Sequence, residues 1–211
     1  MKEDLLRFNN RQKFVVFDFE TCSLNLGSLD NKPWQLGFLV CQGKKVLQKF
    51  DYLIKWSDLK ISKEAREITK FSDAKYKSKS VDPTFVLGEF EKYLYDPEYL
   101  ILGHNILGFD VYIHGIFRQN LGMKVDYSYL DRCIDTLSLA KAIKIGHSPD
   151  REDLISWQYK LNSYFERRMG CSIQALCKHY DIEFDPSKLH NALYDIYLNF
   201  QIYQKQLWEL E

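Results

Sequence analysis

The chain has 211 residues, of which 45% are hydrophobic and 27% charged, the balance of an ordinary soluble globular protein. This length predicts one domain, 1–211, with a core large enough to be stable without disulfides or structural metals. The formal net charge of +0 argues against non-specific binding of long duplexes, so any contact with nucleic acid should be short, local or assisted by bound cations.

The first third of the chain predicts an antiparallel meander of three strands. In residues 13–20, both alternating faces are apolar until two acids appear, which is typical of a central strand. Two further strands, 35–41 and 46–54, are joined by QGKK, in which Gly43 suits a hairpin turn.

Helices are predicted next, followed by a short buried strand at 99–102. Ser62 can cap a helix over 62–70, and Asp82 followed by proline is the start signal of another helix. The apolar stripe predicted for that second helix consists of Phe85, Val86, Phe90, Tyr93 and Leu94. The basic stretch KYKSKS (75–80) is interpreted as a solvated loop, with a phosphate contact as the alternative.

The second half of the chain is mainly helical in pattern. A strand that turns into a helix is predicted at 133–143, and the other predicted helices are 109–121, 154–168, 172–180 and 191–210. The order of elements predicts an α/β fold, a mixed sheet with helices packed on it.

The five cysteines predict free thiols, because their number is odd, their spacing is irregular and no CxxC pair occurs. This usage indicates a reducing compartment, so we expect a cytoplasmic protein. The N-terminal residues are too polar for a signal peptide, and no window reaches the roughly 18 apolar residues of a membrane span. The aromatic content of 15% is interpreted as core anchors, with base stacking at the surface as the alternative.

Acidic residues occur where predicted elements begin or end. Asp18 and Glu20 share one face of the first strand, Asp110 opens a helix, and Asp195 lies early in the last helix. A sheet could bring these carboxylates together at one end, where their mutual repulsion would need an offsetting charge. Mg²⁺ and Mn²⁺ prefer carboxylate oxygens, and two such ions about 4 Å apart serve phosphoryl transfer. His190 is the candidate general base, because histidine side chains, with a reference pKa of about 6.5, suit proton transfer at neutral pH.

Each of these residues also has a structural interpretation when it is considered alone. An acid at a strand end often caps a loop, Asp110 could be a favourable charge at a helix N-terminus, and His190 could be a cap or a core histidine. The joint pattern, with all five residues in this order, favours the catalytic interpretation.

The segments VVFDFET, HNILGFD and HNALYD resemble the three exonuclease motifs of the DnaQ-like DEDDh superfamily. The segment IDTLSLAK (134–141) resembles the passage that precedes the last motif in that family. The resemblance implies a ribonuclease-H-like mixed sheet that opens with an antiparallel three-strand meander and is flanked by helices. It also implies a 3′→5′ exonuclease that uses two divalent cations, Mg²⁺ or Mn²⁺, and releases nucleoside 5′-monophosphates.

The resemblance assigns a role to each matching residue. Asp18, Glu20, Asp110 and Asp195 would bind the metals, and His190 would be the general base. The implied contacts to the substrate are Thr21, Leu24 as a wedge against the last base, and His104 and Asn105 at sugar or phosphate. The chain departs from the family in the lengthened loop after Thr21 and in residues 143–169, which we interpret as an insertion serving as a lid, a partner surface or neither.

Three functions remain open from the sequence. The favoured one is trimming of DNA 3′ ends, in proofreading or repair, on single-stranded or frayed nucleic acid, with a DNA polymerase as a candidate partner. The second is trimming of RNA, which differs by recognition of a 2′-hydroxyl. The third is a catalytically silent module that binds nucleic acid or a polymerase; retention of mutually repelling acids argues against it.

Overall fold

The structure is a computed structural model that describes residues 5–210, in which five strands form one mixed sheet. The strands are β1 (Lys13–Thr21), β2 (Pro33–Gln42), β3 (Lys45–Leu53), β4 (Tyr99–Gly103) and β5 (Cys133–Asp135). Their order is β3-β2-β1-β4-β5. Strand β2 pairs antiparallel with β1 and β3, and β4 pairs parallel with β1 and β5. The predicted opening meander and mixed sheet are confirmed, and Gly43 has the positive φ of 56° that its hairpin turn requires.

Helices cover both faces of the sheet. They are α1 (Lys63–Thr69), α2 (Asp73–Lys79), α3 (Pro83–Leu94), α4 (Asp110–Asn120), α5 (Thr136–Ile145), α6 (Leu154–Ser163), α7 (Ile173–His179) and α8 (Ala192–Leu210). The predicted caps are present: Ser62 accepts from the backbone N–H of Ala65, and Asp82 accepts from that of Phe85.

Three predictions about the helices were wrong. The basic stretch 75–80 is not a loop, since most of it lies in α2, which is capped by Ser72 and buries no residue, so no apolar period marked it. Helix α6 ends at Ser163 rather than 168. In α3, Leu87 belongs to the buried stripe, whereas Phe85 is 51% exposed at its edge and contacts the ring of Tyr52.

The central strand β1 separates two core clusters, as its two apolar faces predicted. Val15, Phe17 and Phe19 pack with side chains of α3 and α4 on one face. Phe14 and Val16 pack on the other face with side chains of α5, α6 and α8. Every second side chain of β1, counted from Phe14, therefore lies on the face covered by α8.

The five cysteines lie in the interior of the protein. All five cysteines are free and buried, which confirms the prediction of unpaired thiols.

Among residues 5–210, no helix has the length and apolar composition needed to cross a membrane.

Candidate active site

Asp18 and Glu20 lie near the end of β1 on the face covered by α8. Because side chains alternate along a strand, they lie on the same face as Phe14 and Val16, which pack against α8, whereas Phe17 packs in the opposite cluster. Both acidic residues remain partly exposed at this end of a strand that is otherwise mostly buried. The strand thus presents two carboxyl groups to the start of α8.

Asp110 reaches the same end of β1 from helix α4. It is the first residue of α4 and is 2% exposed, and its Oδ1 accepts a hydrogen bond of 3.0 Å from the backbone N–H of Phe19. Strand β4 pairs with β1 only as far as Val16 and Leu102, so the edge of β1 beyond that point has no strand beside it on this side. Asp110 satisfies a backbone donor that this edge would otherwise leave unpaired.

Asp195 approaches from the first turn of α8. Its Oδ2 accepts a hydrogen bond of 2.9 Å from the backbone N–H of His190. Its Oδ1 is buried and has no hydrogen-bond partner among the described residues. A buried, unpaired carboxylate oxygen is unfavourable unless another group, such as a cation, satisfies it.

Gly37 allows α8 to begin this close to the sheet. It lies opposite Asp18 in the register of β1 and β2. A Cβ at this position would lie 2.9 Å from the carbonyl carbon of Ala192 and 2.9 Å from the amide nitrogen of Leu193. The absence of a side chain therefore brings the first turn of α8, with Asp195, next to the acids of β1.

The pKa values of all four carboxyl groups are raised. Burial is the largest cause in each case. Burial and the charges of Asp195 and Asp110 raise the pKa of Glu20 to about 8. Burial also raises the pKa of Asp110 to about 8 and that of Asp195 to about 6. The pKa of Asp18 is raised by burial and then by the charges of the other three, so the acids of three distant segments interact as one cluster.

His190 lies two residues before α8, beside the acid cluster. Its φ of 63° places it in the left-handed region, and its N–H bond to Asp195 holds the backbone there. The residue is exposed, and within residues 5–210 its imidazole makes no hydrogen bond or ion pair. The imidazole of His190 is therefore available to a ligand or a water molecule at this site.

The donor chemistry of the cluster fits divalent cations. All four side chains offer carboxylate oxygens, which Mg²⁺ and Mn²⁺ prefer, and Asp195 Oδ1 still needs a partner. In the described part of the chain, no three His, Cys, Asp or Glu side chains are yet close enough to ligate one ion. Ionising several buried carboxyl groups this close together is unfavourable, and a bound cation would offset that cost.

Residues 15–203 match the exonuclease family named after RNase T. The chain belongs to this exonuclease family. The predicted DnaQ-like family relationship is thereby confirmed, whereas comparison of the sequence with curated proteins finds no match.

Solved structures of E. coli exonuclease I share the fold of this exonuclease family member. The zinc-bound complex of that protein with single-stranded DNA has a TM-score of 0.69 at 18% identity, covering 91% of this chain and 39% of the other. Its complex with a dT13 oligonucleotide has a TM-score of 0.70 at 16% identity, covering 92% and 41%. The present chain thus spans about two fifths of the length of these structures, and the predicted ribonuclease-H-like α/β fold is confirmed.

Two of the predicted substrate contacts lie at the end of β1: Thr21 is its last residue, and Leu24 is in the loop that follows. Leu24 is 85% exposed, which suits a side chain that meets a ligand. Thr21 is buried; its Oγ1 donates to the carbonyl of Ser23 at 2.6 Å, and its own carbonyl accepts from Nε1 of Trp34. The substrate roles of Thr21 and Leu24 stay predictions.

The other two predicted contacts, His104 and Asn105, are engaged in bonds within the protein. Nδ1 of His104 lies 2.9 Å from Oγ1 of Thr136, and burial lowers the pKa of His104 to about 4. Asn105 has a φ of 62°, and its Oδ1 accepts a hydrogen bond from Asn162. These bonds hold the loop before Asp110; contact of either residue with substrate stays a prediction.

Sequence reasoning missed Asp135, Gln158 and Asn162, which support that same loop. The carboxylate of Asp135 accepts from the backbone N–H groups of Asn105 at 2.8 Å and Leu107 at 3.1 Å, and from Nδ2 of Asn162 at 2.8 Å. Oε1 of Gln158 accepts from the backbone N–H of Asp135 at 2.7 Å. Asp135 lies in the quoted IDTLSLAK segment and follows a buried strand, which was the available signal.

Helix α6 gives residues 143–169 a structural role. Its Trp157 and Leu161 belong to the core on the α8 face, and its Gln158 is fully buried. With Asn162 on the same helix, α6 ties strand β5 to the loop that leads into Asp110. Whether this segment is an insertion relative to the family stays a prediction.

Proposed function

We propose that this protein is a metal-dependent 3′→5′ exonuclease that hydrolyses DNA from its 3′ end and releases nucleoside 5′-monophosphates. The observation that carries the proposal is the interaction of Asp18, Glu20, Asp110 and Asp195 at one end of β1, beside the free imidazole of His190. The family to which the chain belongs supports the same reaction.

The residues divide the chemistry between them. The four carboxylates would hold two divalent cations, Mg²⁺ or Mn²⁺, whose charge stabilises the attacking and leaving oxygens of a phosphodiester. His190 would accept the proton of the attacking water, because its exposed imidazole has no competing partner. Leu24, which is exposed in the loop after β1, would pack against the terminal base, and Thr21 would position its nucleotide.

DNA is the favoured substrate because the similar structures of E. coli exonuclease I include complexes with single-stranded DNA, dT13 and dA16. The net charge of +0 suits a short contact with a single-stranded or frayed 3′ end. Proofreading would add a DNA polymerase as a partner, whereas a repair role would not. RNA is the alternative substrate, to be separated by experiment.

One set of reactions tests the proposal. Single-stranded DNA, duplex DNA with a mismatched 3′ end, and RNA, each labelled at the 5′ end, are incubated with Mg²⁺, Mn²⁺ or a chelator. We expect a ladder of 5′-labelled products that shortens from the 3′ end, needs a metal and is fastest on DNA. Loss of the 5′ label as mononucleotide, or equal degradation in chelator, would contradict the polarity or the metal requirement.

A further inference from the structure

A cavity of about 680 Å³ lies beside His190 and is separate from the acid cluster. It is bounded by the ends of α1 and α2, by β2 and β3, and by the chain from Ser187 to the first turns of α8. None of Asp18, Glu20, Asp110 or Asp195 lines it, whereas His190 does. Its volume is in the range of small-molecule sites.

The aromatic walls of the cavity are already fixed by contacts within the protein. The rings of Trp34 and Phe71 meet edge to face with centroids 4.9 Å apart, and Phe71 also contacts Tyr76 at 5.3 Å. The hydroxyl of Tyr76 donates to the carbonyl of Ile54 at 2.7 Å and accepts from the N–H of Trp56 at 2.8 Å. Tyr197 of α8 also lines the cavity and is 43% exposed.

The rim of the cavity is strongly basic, in contrast to the neutral chain. Among residues 5–210, no Asp or Glu lines it, whereas four lysines do: Lys49, Lys70, Lys75 and Lys188. Lys188 is 3.6 Å from Asp185, and Lys70 Nζ donates to the carbonyl of Ser187, so these two are engaged. Within residues 5–210, neither Lys75 nor Lys49 makes an ion pair, and Lys49 Nζ lies 5.3 Å from the ring centroid of Tyr197, so both can meet an anion.

We propose that this cavity is a second nucleotide site, which takes one base together with its phosphate. Aromatic side chains interleaved with lysines bind bases by stacking and phosphate by charge, without sequence preference. The inference rests on the proposed function, because an exonuclease offers the site two sources of this ligand: the released mononucleotide and a nucleotide within the strand.

Occupation of this cavity would act on the loop that carries His190. The loop forms one wall of the cavity, and the backbone N–H of His190 bonds to Asp195 in the acid cluster. Lys70 ties the same loop to the end of α1 through the carbonyl of Ser187. A nucleotide bound between these elements therefore contacts the segment that positions the general base.

Binding without metal tests the proposal independently of hydrolysis. Titration calorimetry in EDTA would follow dAMP and, separately, a deoxydinucleotide with a phosphorothioate linkage. We expect one ligand per chain, because without metal the acid cluster offers a phosphate no positive charge. Lys75→Glu and Tyr197→Ala should each weaken binding by about tenfold or more, the effect of losing a charge-assisted contact or a stacked base.

Matched variants control for charge and for lost aromatic surface. Lys77→Glu changes an exposed lysine of the same helix that does not line the cavity, and Tyr164→Ala removes an exposed tyrosine elsewhere; both should bind normally. Binding of dAMP identifies the free mononucleotide as occupant, and binding of the dinucleotide alone identifies a nucleotide within a strand. Absence of binding by either ligand, or binding unchanged by Lys75→Glu and Tyr197→Ala, overturns the proposal, whatever the hydrolysis assay shows.

Discussion

The carboxylate of Asp110 accepts a hydrogen bond from the backbone N–H of Phe19, which joins the first residue of α4 to the edge of β1 that β4 leaves unpaired. Phe19 lies between Asp18 and Glu20, so this bond fixes the third acid relative to the first two. The sheet order makes it possible, because β4 stops pairing with β1 before Phe19. A backbone donor at a strand edge thus positions a side chain of the proposed active site.

The metal-free protein should lose stability as the pH rises from 7 to 8. A carboxyl group whose pKa is raised by folding keeps its proton more tightly in the folded state, so stability falls between its unfolded pKa of about 4 and its folded pKa. Glu20 and Asp110 have folded pKa values of about 8, which places part of the loss in this window. Melting temperatures in EDTA at pH 7 and pH 8 would measure the loss.

Glu20→Gln should reduce this pH dependence and raise the melting temperature at pH 8, since it removes one of the repelling charges. Asp131→Asn, at an exposed residue outside the cluster, is the control; its melting temperature should depend on pH as that of the unchanged protein does. A melting temperature that rises with pH in EDTA would show that the acids are not coupled as described.

Mn²⁺ should stabilise the folded protein at pH 8. A ligand that binds only the folded state at about 100 times its Kd adds about 2.7 kcal/mol. Asp195→Asn should lose most of the Mn²⁺-dependent rise in melting temperature, because the buried oxygen without a partner belongs to this carboxylate. Asp131→Asn again serves as the control, and an equal rise in both variants would remove Asp195 from the metal site.

His190→Ala should lower the rate of hydrolysis by about 10²- to 10⁴-fold, the usual contribution of a general base. The melting temperature should hardly change, because the imidazole is exposed and has no bonding partner in the described chain. His179→Ala, at another exposed histidine, should retain activity. An unchanged pH–rate profile in His190→Ala would contradict its assignment as the base.

Gly37→Ala should strongly impair hydrolysis by displacing the start of α8. Its Cβ would lie 2.9 Å from backbone atoms of Ala192 and Leu193, and overpacking of this kind destabilises by about 1–3 kcal/mol. Gly88→Ala is the matched control, since its Cβ meets nothing within 4 Å in α3 and helix propensity predicts a gain of about 0.5–1 kcal/mol. Normal activity in Gly37→Ala would mean that the approach of α8 is not needed.

Asn162→Ala should lower kcat clearly while changing the free energy of unfolding little. It removes the donor to Asp135 and to Asn105, and so loosens the loop that leads into Asp110. Ser163→Ala, at the next and exposed residue of α6, should behave like the unchanged protein. Parallel measurement of kcat and urea unfolding would separate positioning from stability, and equal kcat in the two variants would exclude the positioning role.

The local sequence determined much of this protein. Alternation identified the central strand and the face shared by Asp18 and Glu20, and cap residues marked the starts of α1 and α3. The order of the acids and of His190 was sufficient to predict the family. These features depend on neighbouring residues and on side-chain type, which a sequence displays directly.

Tertiary structure alone decided what joins these features. The bond between Asp110 and Phe19 links residues 91 positions apart, and that between Asn162 and Asp135 links residues 27 apart. Helix α2 buries nothing, so no apolar period announced it, and the cavity beside His190 exists only where α1, α2, β2 and α8 meet. Such contacts depend on how helices and strands pack against one another. The spacing of residues along the chain does not encode the distances between packed elements.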